Sequence, residues 1–243
     1  AELYKILATA GIATIRTVAD CSSYEEFQKM AEANFNIVID QEARAAADDM
    51  EKRLGIGYIE LQRFYGKDRI TSQYKAFLKA IGVEDAGVFS NPSNNFSGKT
   101  FAIGECANAM PVELALALLE YGGKVSEVFC TLSQRDAWYI LQISQRSPKT
   151  RFYFNQHPSM IGFKTDSDVD ICIGRDACWY YKDAPVRKIT ANRDRQPFGF
   201  AAVGELFKEI SDGNLSHLET TPWSEHQLEN ISDQSGAVSV VFP

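Results

Sequence analysis

Short apolar runs alternate with longer amphipathic stretches through most of the chain, which predicts β-strands that alternate with α-helices. The predicted strands are residues 12–18, 36–39, 57–61, 100–103, 125–129, 151–154, 170–173 and 186–189. The predicted helices are residues 2–10, 24–33, 42–54, 70–81, 112–121, 135–144, 177–181 and 198–210. This alternation is typical of an α/β protein whose parallel sheets are covered by helices on both faces. The closing stretch VSVVF, at residues 238–242, could add an edge strand.

One stretch divides the chain into two parts. Residues 90–98, SNPSNNFSG, are dominated by Asn, Ser, Pro and Gly, which is the composition of a linker or loop. We therefore predict two Rossmann-like α/β domains with parallel sheets flanked by helices, at residues 1–90 and 98–210, and a C-terminal extension at 211–243. The chain begins with a helix where an α/β unit would begin with a strand, and its first residue is not Met. We expect that it is a piece of a longer protein whose first domain is truncated at the N-terminus.

The clearest βαβ unit begins at residue 98. Strand 100–103 ends at Gly104, Pro111 suits the first turn of a helix, and Gly122-Gly123 suits its end. In such units ligands bind beyond the carboxyl ends of the strands. The residues at that place are Gly104, Glu105, Cys106 and Asn108.

Three further loops of the second half also follow predicted strands. We expect parallel topology to gather them near Gly104, as a charged, glycine-bearing rim that could bind a cofactor or another ligand. Their candidate residues are Gln156, His157, Arg175, Asp176, Arg193 and Arg195. Ordinary turn residues and helix caps are an equally good interpretation of any one loop. In the first half, Arg63 and Tyr65 could face a cleft between the halves, although aromatic packing at the domain junction explains them at least as well.

Composition narrows the class of protein. The formal net charge of −7 argues against nucleic-acid binding, which needs a basic face. No apolar run is long enough to span a membrane, and the N-terminus has no signal-peptide pattern. The five cysteines are an odd number with irregular spacing, so a disulfide framework is not expected and the cytoplasm is the better location.

Familiar catalytic and metal-binding motifs are absent from the sequence. There is no G-x-G-x-x-G fingerprint, Walker loop, nucleophile elbow or kinase signature, and the three histidines give no zinc pattern. Cys106 precedes a predicted helix N-terminus, which would lower its pKa, but ligation of a cluster or metal would require partner ligands. Cys172 lies in a buried strand pattern, and Cys178 could reach the rim. We assign no metal ligand in this chain.

The linear order of these segments resembles the nitrogenase component 1 family. That family includes the molybdenum–iron protein subunits, the cofactor-assembly scaffold, dark-operative protochlorophyllide reductase and the cyclase of nickel tetrapyrrole biosynthesis. The resemblance covers about residues 3–210, and no single motif in it is diagnostic. The matching segments are NFNIVI, MEKRLGIGYIEL with QRFYG, GKTFAIGE with the helix that ends in EYGG, DVDICIGRDACWYYKDAPVRKI and RQPFGFAAVGELFKEI.

The resemblance implies electron transfer. Family members accept electrons from an ATP-dependent iron–sulfur reductase and pass them through a cluster to a cofactor or tetrapyrrole held between α/β domains. They pair as homo- or heterodimers with a component 1-like subunit. The cluster cysteines lie in an N-terminal domain that this chain lacks, so the resemblance implies an iron–sulfur cluster in the full-length protein or its complex, with no cofactor assigned to this fragment.

The sequence differs from the catalytic molybdenum–iron subunit at two positions, and both differences argue against reduction of dinitrogen by this chain. In the catalytic molybdenum–iron subunit a cysteine precedes the helix that matches residues 42–54, whereas here residues 38–41 read VIDQ. The cofactor histidine of that subunit falls near residues 189–191, which read ITA. A relative that reduces another substrate, such as a tetrapyrrole, fits better. A non-catalytic cofactor-binding scaffold of the same fold and a two-lobed small-ligand-binding protein are the alternatives.

Overall fold

The computed structural model describes residues 2–12, 14–83, 95–105, 109–191, 197–211 and 238–241. Its helices are α1 Glu2–Thr9, α2 Tyr24–Gln28, α3 Arg44–Leu54, α4 Lys67–Ala80, α5 Pro111–Glu120, α6 Ala137–Arg146, α7 Arg175–Tyr180 and α8 Phe200–Ser211. Its strands are β1 Thr14–Thr17, β2 Phe35–Val38, β3 Tyr58–Glu60, β4 Thr100–Ile103, β5 Lys124–Cys130, β6 Arg151–Phe154, β7 Ile171–Ile173, β8 Arg187–Ile189 and β9 Val238–Val241. The predicted order of helices and strands is confirmed throughout.

The described chain forms two compact units, each with one sheet. One unit contains the four-stranded sheet, in the order β1-β9-β2-β3, and the other contains the five-stranded sheet, in the order β6-β5-β4-β7-β8. Residues 64–72 include the first turns of α4. They belong to the unit with the five-stranded sheet, although they precede the strands of that sheet in sequence. Among the described helices, none combines the length and apolar character that crossing a membrane requires.

The four-stranded sheet differs from the expected edge addition. β2 and β3 are parallel, but β9 lies between β1 and β2 and is antiparallel to both. The C-terminal strand is therefore internal rather than at an edge. Because β1 and β2 do not pair with each other, both present hydrogen-bonding groups to a strand that enters between them.

The five-stranded sheet is parallel throughout, as predicted for residues 98–210. Its strand β4 is central, and the side chains of Phe101, Ala102 and Ile103 are fully buried. Helix α5 packs beside it and is buried from Val112 to Leu118. A helix that is apolar on all sides is stable only inside a protein, so the Leu/Ala run of α5 fixes it in the core of this unit.

One buried carboxylate in α5 sets where α4 begins. Glu113 is fully buried and accepts hydrogen bonds from the backbone N–H groups of Tyr65 and Gly66, at 2.8 and 2.9 Å. Its oxygen also accepts from Nε of Arg69 at 2.7 Å. These donors lie at the start of α4, where backbone N–H groups lack partners within the helix. The helix accordingly begins at Lys67, three residues before the predicted start at 70.

A chain of ion pairs extends from this carboxylate. Arg69 also contacts Glu120 at 2.9 Å, and Glu120 contacts Arg146 of α6 at 3.0 Å. Burial alone would lower the pKa of Arg69, but the carboxylates of Glu113 and Glu120 outweigh it and raise that pKa. The hydroxyl of Tyr121 donates to the carbonyl of Tyr65 at 2.9 Å. Segment 64–69 is thus attached to α5 and to Tyr121 by directed polar bonds, and Glu120 in turn connects α5 to α6.

The substitution Gly66→Ala tests this arrangement. A Cβ at residue 66 would lie 2.0 Å from Nη2 of Arg69 and 2.7 Å from its Nε, so the guanidinium would have to leave Glu113. Loss of a buried ion pair costs about 3–5 kcal/mol because one charge remains buried alone. We expect Gly66→Ala to lower the free energy of unfolding by about 3 kcal/mol or more, measured by urea denaturation.

The matched control is Gly204→Ala in α8. Gly204 is exposed within the helix, and an added Cβ meets no atom within 4 Å. Alanine favours a helix over glycine by about 0.5–1 kcal/mol, so the control should be slightly more stable than the parent chain. Equal stability of the two variants would show that Arg69 accommodates the added Cβ without leaving Glu113.

Candidate functional site at the carboxyl end of the five-stranded sheet

The order of the five strands reverses at β4. The chain proceeds from β4 to β5 and β6 on one side, and then to β7 and β8 on the other. In open parallel sheets, ligands bind outside the carboxyl ends of the strands at such a switch point. The turns that follow β4 and β7 are therefore where this unit would bind a ligand.

These two turns are in direct contact because glycines occupy the ends of both strands. A Cβ on Gly104 would lie 2.5 Å from the backbone nitrogen of Ala177, and a Cβ on Gly174 would lie 2.4 Å from the carbonyl oxygen of Gly104. Gly174 also has a φ of 94°, which L-residues rarely adopt. Arg175 N–H donates to the Glu105 carbonyl at 3.0 Å, which ties the turns together.

Glu105 projects from the first turn, and the end of β5 orients it. One carboxylate oxygen accepts from both the backbone N–H and the hydroxyl of Thr131, at 3.0 and 2.9 Å. The residue remains exposed to solvent. Its carboxylate is thus fixed in direction while staying accessible to a ligand.

Asp176 is the half-buried carboxyl group of the rim, in the first turn of α7. Oδ2 accepts from the side-chain amide of Asn155 at 2.7 Å and from the backbone N–H of Glu105 at 3.3 Å. Burial raises the pKa of Asp176 above its ordinary value, and the negative charge of Glu105 raises it further, against the opposing effect of these hydrogen bonds. A carboxyl group of this kind can hold a proton that an exposed aspartate would release.

The structure brings together four of the predicted site residues, namely Gly104, Glu105, Arg175 and Asp176. Gln156 and His157 follow β6 at the same end of the sheet and are exposed. The ring nitrogen Nδ1 of His157 lies 3.2 Å from the backbone nitrogen of Ser159 and caps the 3₁₀ turn Pro158–Met160. This is the turn-residue interpretation that the sequence left open. The predicted residues Cys106, Asn108, Arg193 and Arg195 lie outside the described part of the chain.

The two predicted residues of the first half have separate environments. Arg63 is buried and belongs to the unit with the four-stranded sheet. Tyr65 is buried in the other unit, where its backbone N–H binds Glu113 and its carbonyl accepts from Tyr121. A role for either side chain in binding a ligand stays a prediction.

Three further residues that follow strands at this end of the sheet were not among the predicted site residues. Thr131 orients Glu105, and Asn155 binds Asp176. Asn155 directly follows the predicted strand 151–154 and Thr131 lies two residues after the predicted strand 125–129, so the rule that located Glu105 applies to them as well. The third, Ala191, follows β8 and has a φ of 51°, the only positive value at a described non-glycine residue. Such strained backbone positions occur preferentially at functional sites.

The described residues do not fit an iron–sulfur cluster. No group of three or more His, Cys, Asp or Glu side chains within the described ranges is arranged to hold a metal. Cys130, Cys172 and Cys178 are buried, and that burial raises the pKa of each thiol, to about 12 for Cys130 and about 11 for Cys178. A metal ligand must instead be a thiolate. We therefore derive no chemical step through a cluster bound by these residues.

A doubly wound α/β fold binds ligands at its switch point, whereas the fold alone does not fix the chemistry. Residues 1–211 match the family described as nitrogenase component 1 type oxidoreductase, and the chain belongs to that family. The solved structure of nitrogenase Cp1 at pH 6.5 is similar, with a TM-score of 0.63 and 14% sequence identity over 96% of this chain. The match covers 57% of that longer chain, so this chain spans little more than half of it. No curated protein sequence matches.

Glu105→Gln tests the electrostatic coupling in the rim. Glutamine preserves the acceptor for Thr131 but removes the charge that raises the pKa of Asp176. We expect the titration midpoint of the Asp176 carboxyl carbon, followed by ¹³C NMR, to move down. Asp166→Asn, which neutralises an exposed carboxylate that is not among the groups shifting Asp176, should leave that midpoint unchanged.

The sign of the effect on stability follows from the same shift. The folded protein holds the Asp176 proton more tightly than the unfolded chain does. The ordinary pKa of an aspartate is 3.8. As the pH rises from this value through the pKa of Asp176 in the folded protein, the contribution of this group to the free energy of unfolding is lost. An unchanged midpoint in Glu105→Gln would mean that the two carboxyl groups do not interact.

Thiol reactivity provides a separate check on the cluster argument. At pH 8, alkylation of Cys130 and Cys178 by iodoacetamide should be at least about 100-fold slower in the folded chain than in urea, because each unit of pKa reduces the thiolate tenfold. Peptide mass spectrometry resolves the individual cysteines, and the unfolded chain is the internal control. Comparable rates in both states would identify a reactive thiolate, as a ligand or nucleophile requires.

Proposed function

We propose that this chain is part of a nitrogenase component 1-like oxidoreductase subunit that accepts electrons from an ATP-dependent iron–sulfur reductase. In this proposal the subunit works in the cytoplasm as a homo- or heterodimer with another component 1-like subunit. The reduced substrate is a cofactor or tetrapyrrole-like molecule rather than dinitrogen. The observation that carries the proposal is the family match over residues 1–211, joined to a polar rim at the switch point of the five-stranded sheet.

The rim supports a role in binding and protonating a substrate. Reduction of a double bond consumes two electrons and two protons, and the electrons come from the reductase. Asp176 is the described rim group suited to hold one of those protons, because burial and the charge of Glu105 raise its pKa. The exposed Glu105 carboxylate can accept a hydrogen bond from the substrate, and the candidate arginines 175, 193 and 195 would bind substrate carboxylates.

The exclusion of dinitrogen rests on the protein ligands of the nitrogenase cofactor. Residues 38–41 include no cysteine, and residues 189–191 include no histidine. The latter stretch ends β8 beside the rim, where Ala191 adopts its left-handed conformation. A cofactor anchored by those two side chains therefore has no counterpart for either ligand in this sequence.

Electron acceptance is the decisive test. The full-length protein would be purified without oxygen, its iron content and visible spectrum measured, and a pre-reduced iron–sulfur reductase added with MgATP. We expect iron with a broad cluster absorption, and oxidation of the reductase that depends on ATP and fails with MgADP. If reconstituted protein contains no iron and does not oxidise the reductase, the proposal is wrong and a ligand-binding scaffold replaces it.

Asp176→Asn separates electron transfer from protonation. Loss of a general acid lowers the rate of the chemical step by about 100-fold or more. We therefore expect product formation to fall by that factor in Asp176→Asn while the initial oxidation of the reductase is retained. Asp166→Asn is the control and should match the parent protein in both measurements. Full product formation by Asp176→Asn would remove Asp176 from the mechanism.

A further inference from the structure

The connection from β6 to β7 has no α-helix, although β5 and β4 lie between these two parallel strands. After one 3₁₀ turn, the chain continues as residues 161–168, which we call the strap. Phe163, Thr165 and Ser167 of the strap are half buried, while Lys164 and the other intervening residues are exposed. Alternation of this kind is characteristic of an extended segment with one face on the protein.

The strap covers an aromatic recess. Phe129 of β5 is fully buried and stacks on Tyr153 at 5.1 Å and on Tyr180 at 4.6 Å between ring centroids. Phe163 of the strap lies across all three rings, with centroids 4.7 Å from Tyr153, 5.4 Å from Tyr180 and 5.8 Å from Phe129. The Phe163 ring therefore covers the three other rings, which belong to one core cluster of this unit.

Below the rings, the strap is bound to a buried carboxylate. Glu127 of β5 is fully buried and accepts hydrogen bonds from the hydroxyls of Thr165 at 3.0 Å and Ser167 at 2.9 Å. The same carboxylate accepts from Tyr181 at 2.7 Å and from Arg151 at 2.7 Å. The hydroxyl of Tyr153 lies 3.4 Å from it as well, so Glu127 retains three donors that do not belong to the strap, and lifting the strap does not leave it unpaired.

The N-terminal end of the strap is suited to movement, whereas at its C-terminal end Val169 is buried and Asp170 is bonded to Thr100. Gly162, directly before Phe163, has a φ of 72°, and a Cβ there would meet no atom within 4 Å. The neighbouring Ile161 is 87% exposed. On the outer side, Asp166 pairs with the partly exposed Arg151, and exposed pairs of this kind contribute little to stability. The half-buried ring of Phe163 and the polar bonds of Thr165 and Ser167 to Glu127, Tyr181 and Arg151 are the contacts that hold the strap down.

We propose that the strap is a lid over a ligand site and that Phe163, Thr165 and Ser167 occupy this site as an internal ligand. The strap supplies one aromatic ring and hydrogen-bond donors to Glu127. A molecule that replaces it must offer the same chemistry, which is a planar aromatic group that carries an N–H or O–H donor. This site lies on the face of the sheet under the strap and is independent of the proposed redox function.

Indole and indene provide matched probes, because they share a shape but only indole has an N–H donor. Titrations of the full chain would be followed by calorimetry and by NMR of the aromatic side chains. We expect Phe163→Ala to bind indole at least tenfold more tightly than the parent chain and more tightly than indene. Phe207→Ala opens a second aromatic cluster, formed with Phe96 and Tyr121, and should not distinguish the two probes.

The double variant Thr165→Val/Ser167→Ala tests whether the strap opens, and it retains the ring of Phe163. Removal of both donors raises the population of the open strap, and apparent affinity increases in proportion to the competent population. We expect indole to bind at least fivefold more tightly than to the parent chain. Lys164→Ala, which changes an outward-facing residue of the strap, should have no effect. Unchanged indole affinity in the double variant, or equal affinity of Phe163→Ala for indole and indene, would overturn the proposal.

Discussion

The unit with the five-stranded sheet depends on buried glutamates that are fully supplied with donors. Glu113 and Glu127 are both completely buried, one in helix α5 and one in the internal strand β5. A buried charge is tolerated only when partners compensate for the water it loses. Glu113 accepts hydrogen bonds from segment 64–69, and Glu127 accepts hydrogen bonds from the strap and from Tyr181. Segments that apolar packing alone would leave loosely placed are thereby fixed at defined positions.

This requirement explains where the sequence was informative and where it was not. The strand 100–103 and the helix beside it were predicted within one residue, because burial of a contiguous apolar run is a local property of the sequence. The start of α4 was placed three residues late, because its donors bind Glu113, 44 or more positions away in sequence. The pattern of apolar and polar residues at 64–69 contains no sign of a carboxylate so far away in sequence.

In the candidate site, too, the sequence predicts the positions of residues but not their surroundings. Parallel topology placed Glu105 and Asp176 at one edge, and the structure joins them through the Glu105 N–H. What topology could not provide is the difference between the two carboxyl groups. Glu105 is exposed and oriented by Thr131, whereas Asp176 is half buried and bonded to Asn155. That difference arises from which neighbouring loop covers each group, and the burial of Asp176 raises the pKa of its carboxyl group.

The loop that contributes Asn155 continues directly into the strap, and this continuity links the rim to the face of the sheet. Asn155 binds Asp176 at the carboxyl end of the strands, and ten residues later Thr165 binds Glu127 near the middle of β5. The crossover has no helix, and it binds these carboxylates through the side chains of Asn155, Thr165 and Ser167. Its backbone forms short-range bonds of its own, such as that from the Met160 N–H to the His157 carbonyl. The connection is therefore fixed to the sheet by side-chain donors near both of its ends, and it places a hydroxyl-bearing segment beside the rings of Phe129, Tyr153 and Tyr180.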